Sequence, residues 1–217
     1  MSGVVVLVEG DSDRNALAAL ARRRALDLAG RGITVVAMGG ITNLHRNLLR
    51  FGSAGAGRRL VGLYDVAEDH VVRRALERAG VAAADPEAAG FHRCVPDLEA
   101  ELIRALGVPA VERIVADRRE LRALRTLQAQ AYWSARPAAD QIRRFLGNGI
   151  QRKATYATLM VDALDLDRAP APLDRVLADA ITASALTDRV TDRVTDRVTG
   201  RVTDGVTDDR RAPRTRP

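Results

Sequence analysis

Acidic residues follow directly after several apolar runs of the sequence, and their spacing could build a cation site. Glu9 follows the first run, and Asp13 lies four residues further along. Asp65 ends the third run, and Glu99 comes shortly after the fourth. Carboxylate oxygens are the ligands that Mg²⁺ and Mn²⁺ prefer, whereas zinc favours histidine and cysteine. Because acids that converge on one place repel one another unless a cation neutralises them, the pattern indicates a divalent-cation site.

The elements that must position these acids are short strands separated by helices. Four apolar runs have the length and the β-branched character of strands buried on both faces. The predicted strands are 4–8, 33–37, 60–64 and 91–95, and helical spacing occurs over 13–28, around 44–49 and over 68–79. This alternation predicts an α/β fold with a four-stranded parallel sheet and right-handed crossovers. In such sheets ligands collect at the carboxyl ends of the strands, where the acids stand.

Most of these acids also have a purely structural explanation. Asp13 could cap the first helix, and Glu68 and Asp69 could lie in the first turn of the third helix, where the helix dipole favours negative charge. Glu9 lies too early in the chain to be a cap, and Gly10 follows it. Glu9 is therefore the acid that most requires a functional explanation.

Composition limits the class of protein. The chain has 217 residues, of which 47% are hydrophobic, so we expect one main domain. The net charge of +6 permits nucleic-acid binding without requiring it. The three histidines and the single Cys94 lack metal-ligand spacing, and one cysteine cannot form an internal disulfide. No leader pattern precedes Val4 and no apolar run approaches the ~20 residues that span a bilayer, so a cytoplasmic protein without membrane contact is expected.

The sequence divides into three parts. Residues 1–96 form the predicted α/β core, and residues 97–186 form a helical part with helices expected at 98–106, 110–116, 121–131, 138–146 and 153–164. Residues 187–208 repeat Thr-Asp-Arg-Val with little variation and are followed by "DRRAPRTRP". The whole segment 187–217 is predicted to be a disordered tail, because its polar majority cannot bury enough surface to fold. The arginines of this tail could contact phosphate, but a repeat expansion without a role explains them more simply.

These motifs together resemble the TOPRIM domain, the metal-binding, Rossmann-like fold of topoisomerases, bacterial primases and OLD-family nucleases. The resemblance rests on "VLVEGDSDRNAL", on the glycine pair that follows the second strand and on "LVGLYDVAED". The segments "VVAMGGITNL", "PDLEAELIRALG" and "IQRKATYATLMVDALD" are similar specifically to the OLD branch. The resemblance covers about residues 3 to 180 and implies a nuclease that depends on divalent metal.

The resemblance implies roles for individual residues. Glu9 corresponds to the invariant acid of the first TOPRIM motif, and Asp13 to the second acid of the pair that OLD nucleases use as ligands. Glu99 is similar to the acid that completes the second metal site, and Lys153 to the basic residue that stabilises charge on the phosphate. Lys153 is also the only lysine among 34 basic residues, which suggests a role for a compact point charge. The alternative for Lys153 is a solvated base near a helix end.

The sequence departs from the TOPRIM pattern at the third strand. Asp65 matches the first acid of the DxD motif, but Ala67 stands where the motif has its second acid. Glu68 or Asp69 would then supply the missing carboxylate, and the shorter step from Asp65 favours Glu68.

Two functions from different classes follow. In the first, two Mg²⁺ or Mn²⁺ ions about 4 Å apart serve a nuclease that hydrolyses or nicks DNA, with RNA not excluded. In the second, a degenerate TOPRIM module binds nucleic acid or a partner ATPase without chemistry, an alternative that Ala67 favours. No G-x-x-x-x-G-K-[ST] loop occurs, so we expect a stand-alone TOPRIM protein whose ATPase, if any, is a separate chain; homodimerisation is a further option. Nucleotidyl transfer is less well supported, because nothing resembles a nucleotide-selecting domain.

Overall fold

The sheet has four parallel strands in the order β2-β1-β3-β4. The computed structural model describes residues 3–203, with side chains described for residues 3–187. The strands are β1 (Val4–Val8), β2 (Ile33–Ala37), β3 (Arg59–Asp65) and β4 (Phe91–Cys94). Central β1 pairs Val6 with Val35 of β2 and with Val61 of β3. The predicted parallel α/β sheet is confirmed.

Helices cover both faces of the sheet because side chains alternate along each strand. Val4, Val6 and Val8 face one hydrophobic cluster, whereas Val5 and Leu7 face a second. Three helices connect the strands in turn: α1 (Asp11–Arg23), α2 (Leu44–Phe51) and α3 (Asp69–Arg78). The first belongs to the first cluster and the other two to the second. A central strand buried on both faces explains the unbroken apolar run at the start of the sequence.

Helix α1 ends five residues before the predicted end at residue 28. Ala25 has φ +53°, and its N–H bonds to the carbonyl of Arg22 while Leu26 N–H bonds to that of Ala21. This pair of hydrogen bonds is a Schellman motif, which closes a helix. The prediction was wrong here because the residue in the left-handed conformation is an alanine, whereas the sequence places its glycines later, at Gly30 and Gly32.

The rest of the described chain is helical, as predicted. After β4 come α4 (Leu98–Leu106), α5 (Val108–Asp117), α6 (Leu121–Gln128), α7 (Ala131–Ser134), α8 (Ala138–Leu146), α9 (Ile150–Ala163) and α10 (Ala171–Thr203). Helix α9 packs along α1, and α10 packs against the sheet. The first hydrophobic cluster therefore extends from the face of β1 that carries Val4, Val6 and Val8 to residues of α10 such as Val176 and Ala180.

The predicted tail begins inside α10. The backbone of this helix continues through Thr203, whereas side chains after Thr187 and all of residues 204–217 lie outside the described part. The disorder predicted for 187–217 therefore concerns a segment that lies largely outside the described part of the chain, and it stays a prediction. Between residues 3 and 203, no helix is both long enough and apolar enough to cross a membrane.

Candidate metal centre

Two of the predicted acids follow neighbouring strands and share one edge of the sheet. The register pairs Leu7 of β1 with Gly62 of β3, and both strands run in the same direction. Glu9 directly follows β1, and Asp65 is the last residue of β3. The register therefore places Glu9 and Asp65 at the same carboxyl edge, each partly buried.

Asp13 is held at this edge by the first turn of α1. Its side chain is buried, and Oδ2 accepts a hydrogen bond of 2.9 Å from the backbone N–H of Gly10. This bond is the helix-capping role that the sequence allowed, and it occupies one of the two carboxylate oxygens. Asp11, in contrast, is exposed and pairs with Arg14 at 2.9 Å. A Cβ on Gly10 would meet no atom within 4 Å, so the space in front of the turn is open to a ligand.

Glu99 reaches the same edge from the first turn of α4 and is 5% exposed. Its Oε2 lies 3.3 Å from Nζ of Lys153, whereas Oε1 is buried without a hydrogen-bond partner. A buried carboxylate oxygen without a partner is costly, so this atom has capacity for a cation. Asp97 caps α4 by accepting from the N–H of Ala100 at 2.9 Å, and it also pairs with Arg143.

Lys153 is carried to the edge by α9, which is fixed against α1. The guanidinium of Arg23 donates to the carbonyls of Val161 and Leu164 at 2.8 and 2.6 Å. Burial alone would lower the pKa of the Lys153 ammonium, but the charges of Glu99, Asp13 and Asp65 outweigh burial and raise it. Lys153 therefore stays protonated among acids from several elements.

The acids raise one another's pKa. Burial first, and then the charges of Asp13, Asp97 and Glu99, raise the pKa of Asp65 to about 7, against the opposing effect of Lys153. Burial also raises the pKa of Glu9, and the Asp13 charge adds to the shift. The pKa values of Asp13 and Glu99 are raised mainly by burial. Negative charge is therefore concentrated beyond what one ammonium compensates, which is the electrostatic condition for binding a divalent cation.

The structure separates the two candidates for the missing DxD acid. Val66–Glu68 form a 3₁₀ turn before α3. The Asp69 carboxylate accepts from the Tyr64 hydroxyl at 2.9 Å and from Nε of Arg73 at 2.6 Å, and the Arg73 contact contributes most to lowering its pKa. Glu68, in contrast, contributes charge that raises the pKa of Glu9. The structure thus brings Glu68 toward the other acids and leaves Asp69 engaged elsewhere.

The chemistry of the donors fits a hard divalent cation. The donors Glu9, Asp13, Asp65 and Glu99 are all carboxylates, the ligand type that Mg²⁺ and Mn²⁺ prefer, and Oε1 of Glu99 lacks a partner. Among the side chains of residues 3–187, no three His, Cys, Asp or Glu already form a ligand cluster.

Comparisons with known proteins decide the fold. Residues 1–55 match the family model "Overcoming lysogenization defect protein-like, TOPRIM domain". The C-terminal region of the Xanthomonas campestris pv. campestris OLD protein matches with a TM-score of 0.67 and 23% identity, over 88% of this chain and 97% of that chain. The chain has an OLD-type TOPRIM fold. The C-terminal region of the Burkholderia pseudomallei OLD protein matches this OLD-type TOPRIM fold with a TM-score of 0.64 and 20% identity, over 83% of this chain and 98% of that chain. No curated protein matches the sequence.

The OLD-type TOPRIM resemblance that the motifs predicted is confirmed at the level of the fold. The family-model match includes Glu9 and Asp13, whereas Asp65, Glu99 and Lys153 lie beyond residue 55. The placement of these three residues rests on the strand ends and helix starts described above, and their roles stay a prediction. The sequence also places Asp97 with Glu99 among the acids that follow the fourth strand, and in the structure Asp97 caps α4 and pairs with Arg143.

Proposed function

We propose that the chain is a divalent-metal-dependent nuclease that hydrolyses or nicks DNA phosphodiester bonds. One observation supports this function above all. Four acids from separate elements share one edge of the sheet with Lys153, namely Glu9, Asp13, Asp65 and Glu99. The pKa of each of these carboxyl groups is raised. A structural ion pair needs one acid and one base, whereas this excess of acids suits a cation that carries two charges.

Each residue has a distinct part in this proposal. Glu9 and Asp13 would hold one ion, and Asp65 and Glu99 the other, with Glu68 in place of the second DxD acid. Two Mg²⁺ or Mn²⁺ ions, when bound, stabilise the charge on the attacking and leaving oxygens of a phosphodiester. Lys153 keeps its proton and would place a positive charge beside the phosphate. The N-termini of α1 and α9 face the same region and would add partial positive charge.

A module without catalytic activity is the second candidate. Ala67 in place of the DxD acid favours it, as does the lack of a ready-made ligand cluster within the described residues. Such a module would bind nucleic acid or a partner ATPase, alone or as a homodimer. It would use the same edge of the sheet, with Lys153 and helix N-termini contacting phosphate.

Plasmid cleavage distinguishes these candidates. Purified protein is incubated with supercoiled plasmid and Mn²⁺ or Mg²⁺, with EDTA as the blank. Nicked or linear DNA that depends on metal supports the nuclease, and Glu9→Gln should abolish it. Asp11→Asn is the matched control, since this exposed acid two residues away pairs with Arg14 and should be dispensable. Intact plasmid in every reaction would support the module without catalytic activity. A parallel reaction with an RNA of the same sequence tests whether RNA is a substrate.

A further inference from the structure

A groove of about 470 Å³ opens directly beside the acidic centre. One wall is formed by residues already described, which are Asp97, Glu99 and Lys153. The other wall comes from α7, α8 and their connections, namely Trp133, Arg136, Asp140, Arg143, Arg144 and Gly147. We call it the arginine–aromatic groove. Lys153 also lines a second depression that contains Glu9 and Gly10, so a bound chain could pass from one side of the acids to the other.

Trp133 lines the groove, and the ring of Tyr132 lies next to it, in contact with Trp133 and with Arg136 of the groove wall. Tyr132 is 65% exposed, in a chain of which only 3% is aromatic. Its ring centroid lies 5.1 Å from that of Trp133 in an edge-to-face arrangement. The guanidinium of Arg136 lies 4.2 Å from the Tyr132 centroid and donates to its hydroxyl at 2.7 Å. An aromatic side chain this exposed contributes little to the core, and the neighbouring arginine holds it in one orientation.

The same wall carries positive charge that is free for a ligand. Within the described residues, neither Arg136 nor Arg144 forms an ion pair with a carboxylate. Arg143 is different, because it is paired with Asp97. The groove thus combines two available guanidinium groups with a ring, and it ends at the carboxylates of the candidate metal centre. A partner rich in carboxylates would be repelled at that end, whereas phosphates that arrive together with divalent ions would be accepted.

We propose that the arginine–aromatic groove binds an unpaired stretch of nucleic acid, with one base stacked on Tyr132 and the flanking phosphates on Arg136 and Arg144. The proposal rests on the proposed function and specifies its substrate class. A base can stack on a protein ring only when one of its faces is free, which holds in single strands, flaps and bubbles but not in an intact duplex. The groove would therefore lead an unpaired strand to the acidic centre.

Tryptophan fluorescence tests this proposal directly, because Trp133 is the only tryptophan of the chain. The full chain in EDTA is titrated with oligo(dT) and, separately, with a blunt duplex of equal length. We expect oligo(dT) to quench the emission and to bind about tenfold more tightly than the duplex. Tyr132→Ala should weaken oligo(dT) binding by about tenfold, the effect of losing one base–aromatic stack, whereas Tyr132→Phe should retain it.

The arginine contribution is measured from the dependence of binding on salt. Arg144→Ala should reduce the slope of log K against log[salt] by about 0.7, the value for one phosphate contact on a single strand. Arg78→Ala is the matched control, because this exposed arginine ends α3 at the opposite edge of the sheet. An unchanged slope for Arg144→Ala would contradict the phosphate contact.

The outcomes separate this proposal from the nuclease itself. If the duplex bound as tightly as oligo(dT), or if Tyr132→Ala had no effect, the groove would not be a site for unpaired nucleic acid. This conclusion would hold even if plasmid were cleaved in the presence of metal. Conversely, if oligo(dT) binding depended on Tyr132 but no metal-dependent cleavage occurred, the result would support nucleic-acid binding in the groove and contradict the proposed nuclease activity.

Discussion

The Lys153 ammonium lies 3.3 Å from Oε2 of Glu99, and this ion pair joins the first turns of α9 and α4 across the acidic edge. The same ammonium interacts with the charges of Asp13 and Asp65. It therefore competes with metal ions for the carboxylates while providing the charge that a phosphate requires.

Replacing Lys153 should separate these two effects. Lys153→Met should lower the rate of metal-dependent cleavage by about 100-fold, since the lost charge would act on the transition state. It should also tighten Mn²⁺ binding, because the competing positive charge is gone. Calorimetric titration with Mn²⁺ measures the second effect, and Arg78→Met, an exposed position at the end of α3, is the control. Weaker Mn²⁺ binding in Lys153→Met would contradict this account.

Divalent ions should stabilise the fold. Saturating Mn²⁺ should raise the melting temperature by roughly 5 °C, because a ligand that binds only the native state stabilises it. Glu99→Gln should lose most of this increase, whereas Asp11→Asn should keep it. Equal melting temperatures in Mn²⁺ and EDTA would indicate that the four carboxylates do not form a cation site.

The two acids after Asp65 should differ in their effect. Glu68→Gln should abolish cleavage while leaving the melting temperature in EDTA nearly unchanged, since the charge of Glu68 acts on Glu9 and, among the described residues, Glu68 forms no hydrogen bond or ion pair. Asp69→Asn should cleave well but melt earlier, because it loses contacts to Tyr64 and Arg73. The reverse order would transfer the ligand role to Asp69.

The metal-free protein should lose stability as the pH rises toward neutrality. The folded-state pKa of Asp65 is about 7, above its ordinary value of 3.8, so the native state binds this proton more tightly than the unfolded state. The associated stability is complete below pH 4 and is lost as the pH rises through 7. Melting temperatures in EDTA between pH 5 and 8 should therefore fall less in Asp65→Asn than in the unmodified chain. Parallel curves would show that Asp65 is ionised throughout.

Removing the repeat should have little effect on the body of the protein. Deletion of residues 188–217 should change the melting temperature by less than about 2 °C, because the repeat offers little apolar surface. The last core residue of α10 is Ala180, and Ser184 donates to the carbonyl of Arg31 at 2.6 Å, so both anchors remain. A loss of more than about 5 °C would show that the repeat packs on the body.

Local patterns predicted most of the fold. Strands 4–8 and 33–37 and helices 98–106 and 138–146 have the predicted bounds, because apolar periodicity and caps are local signals. The early end of α1 was missed because its closing residue is Ala25 and not glycine. Helix α10 was not predicted, although Leu173, Val176 and Ala180 have helical spacing in its first half. Its second half belongs to the Thr-Asp-Arg-Val repeat, which was interpreted as a disordered tail.

The site was predictable only in part, since strand ends locate acids but do not orient them. The direction of Asp69 depends on Tyr64 and Arg73, and these contacts follow from the rotation of α3 against the sheet. The pairing of Asp97 with Arg143 joins residues 46 positions apart. The Asp97–Arg143 pair leaves no signal in the local spacing of the sequence, whereas Asp69 and Arg73 stand four residues apart, a spacing that is typical of an ion pair on one helix.

The hydrophobic cluster that joins β1 to α10 also determines when the protein can fold during synthesis. Val4, Val6 and Val8 leave the ribosome well before Leu173 and Val176 of the same cluster. Until α10 emerges, one face of the first strand lacks part of its cover. Contacts this distant in sequence close slowly and leave apolar surface exposed in the nascent chain.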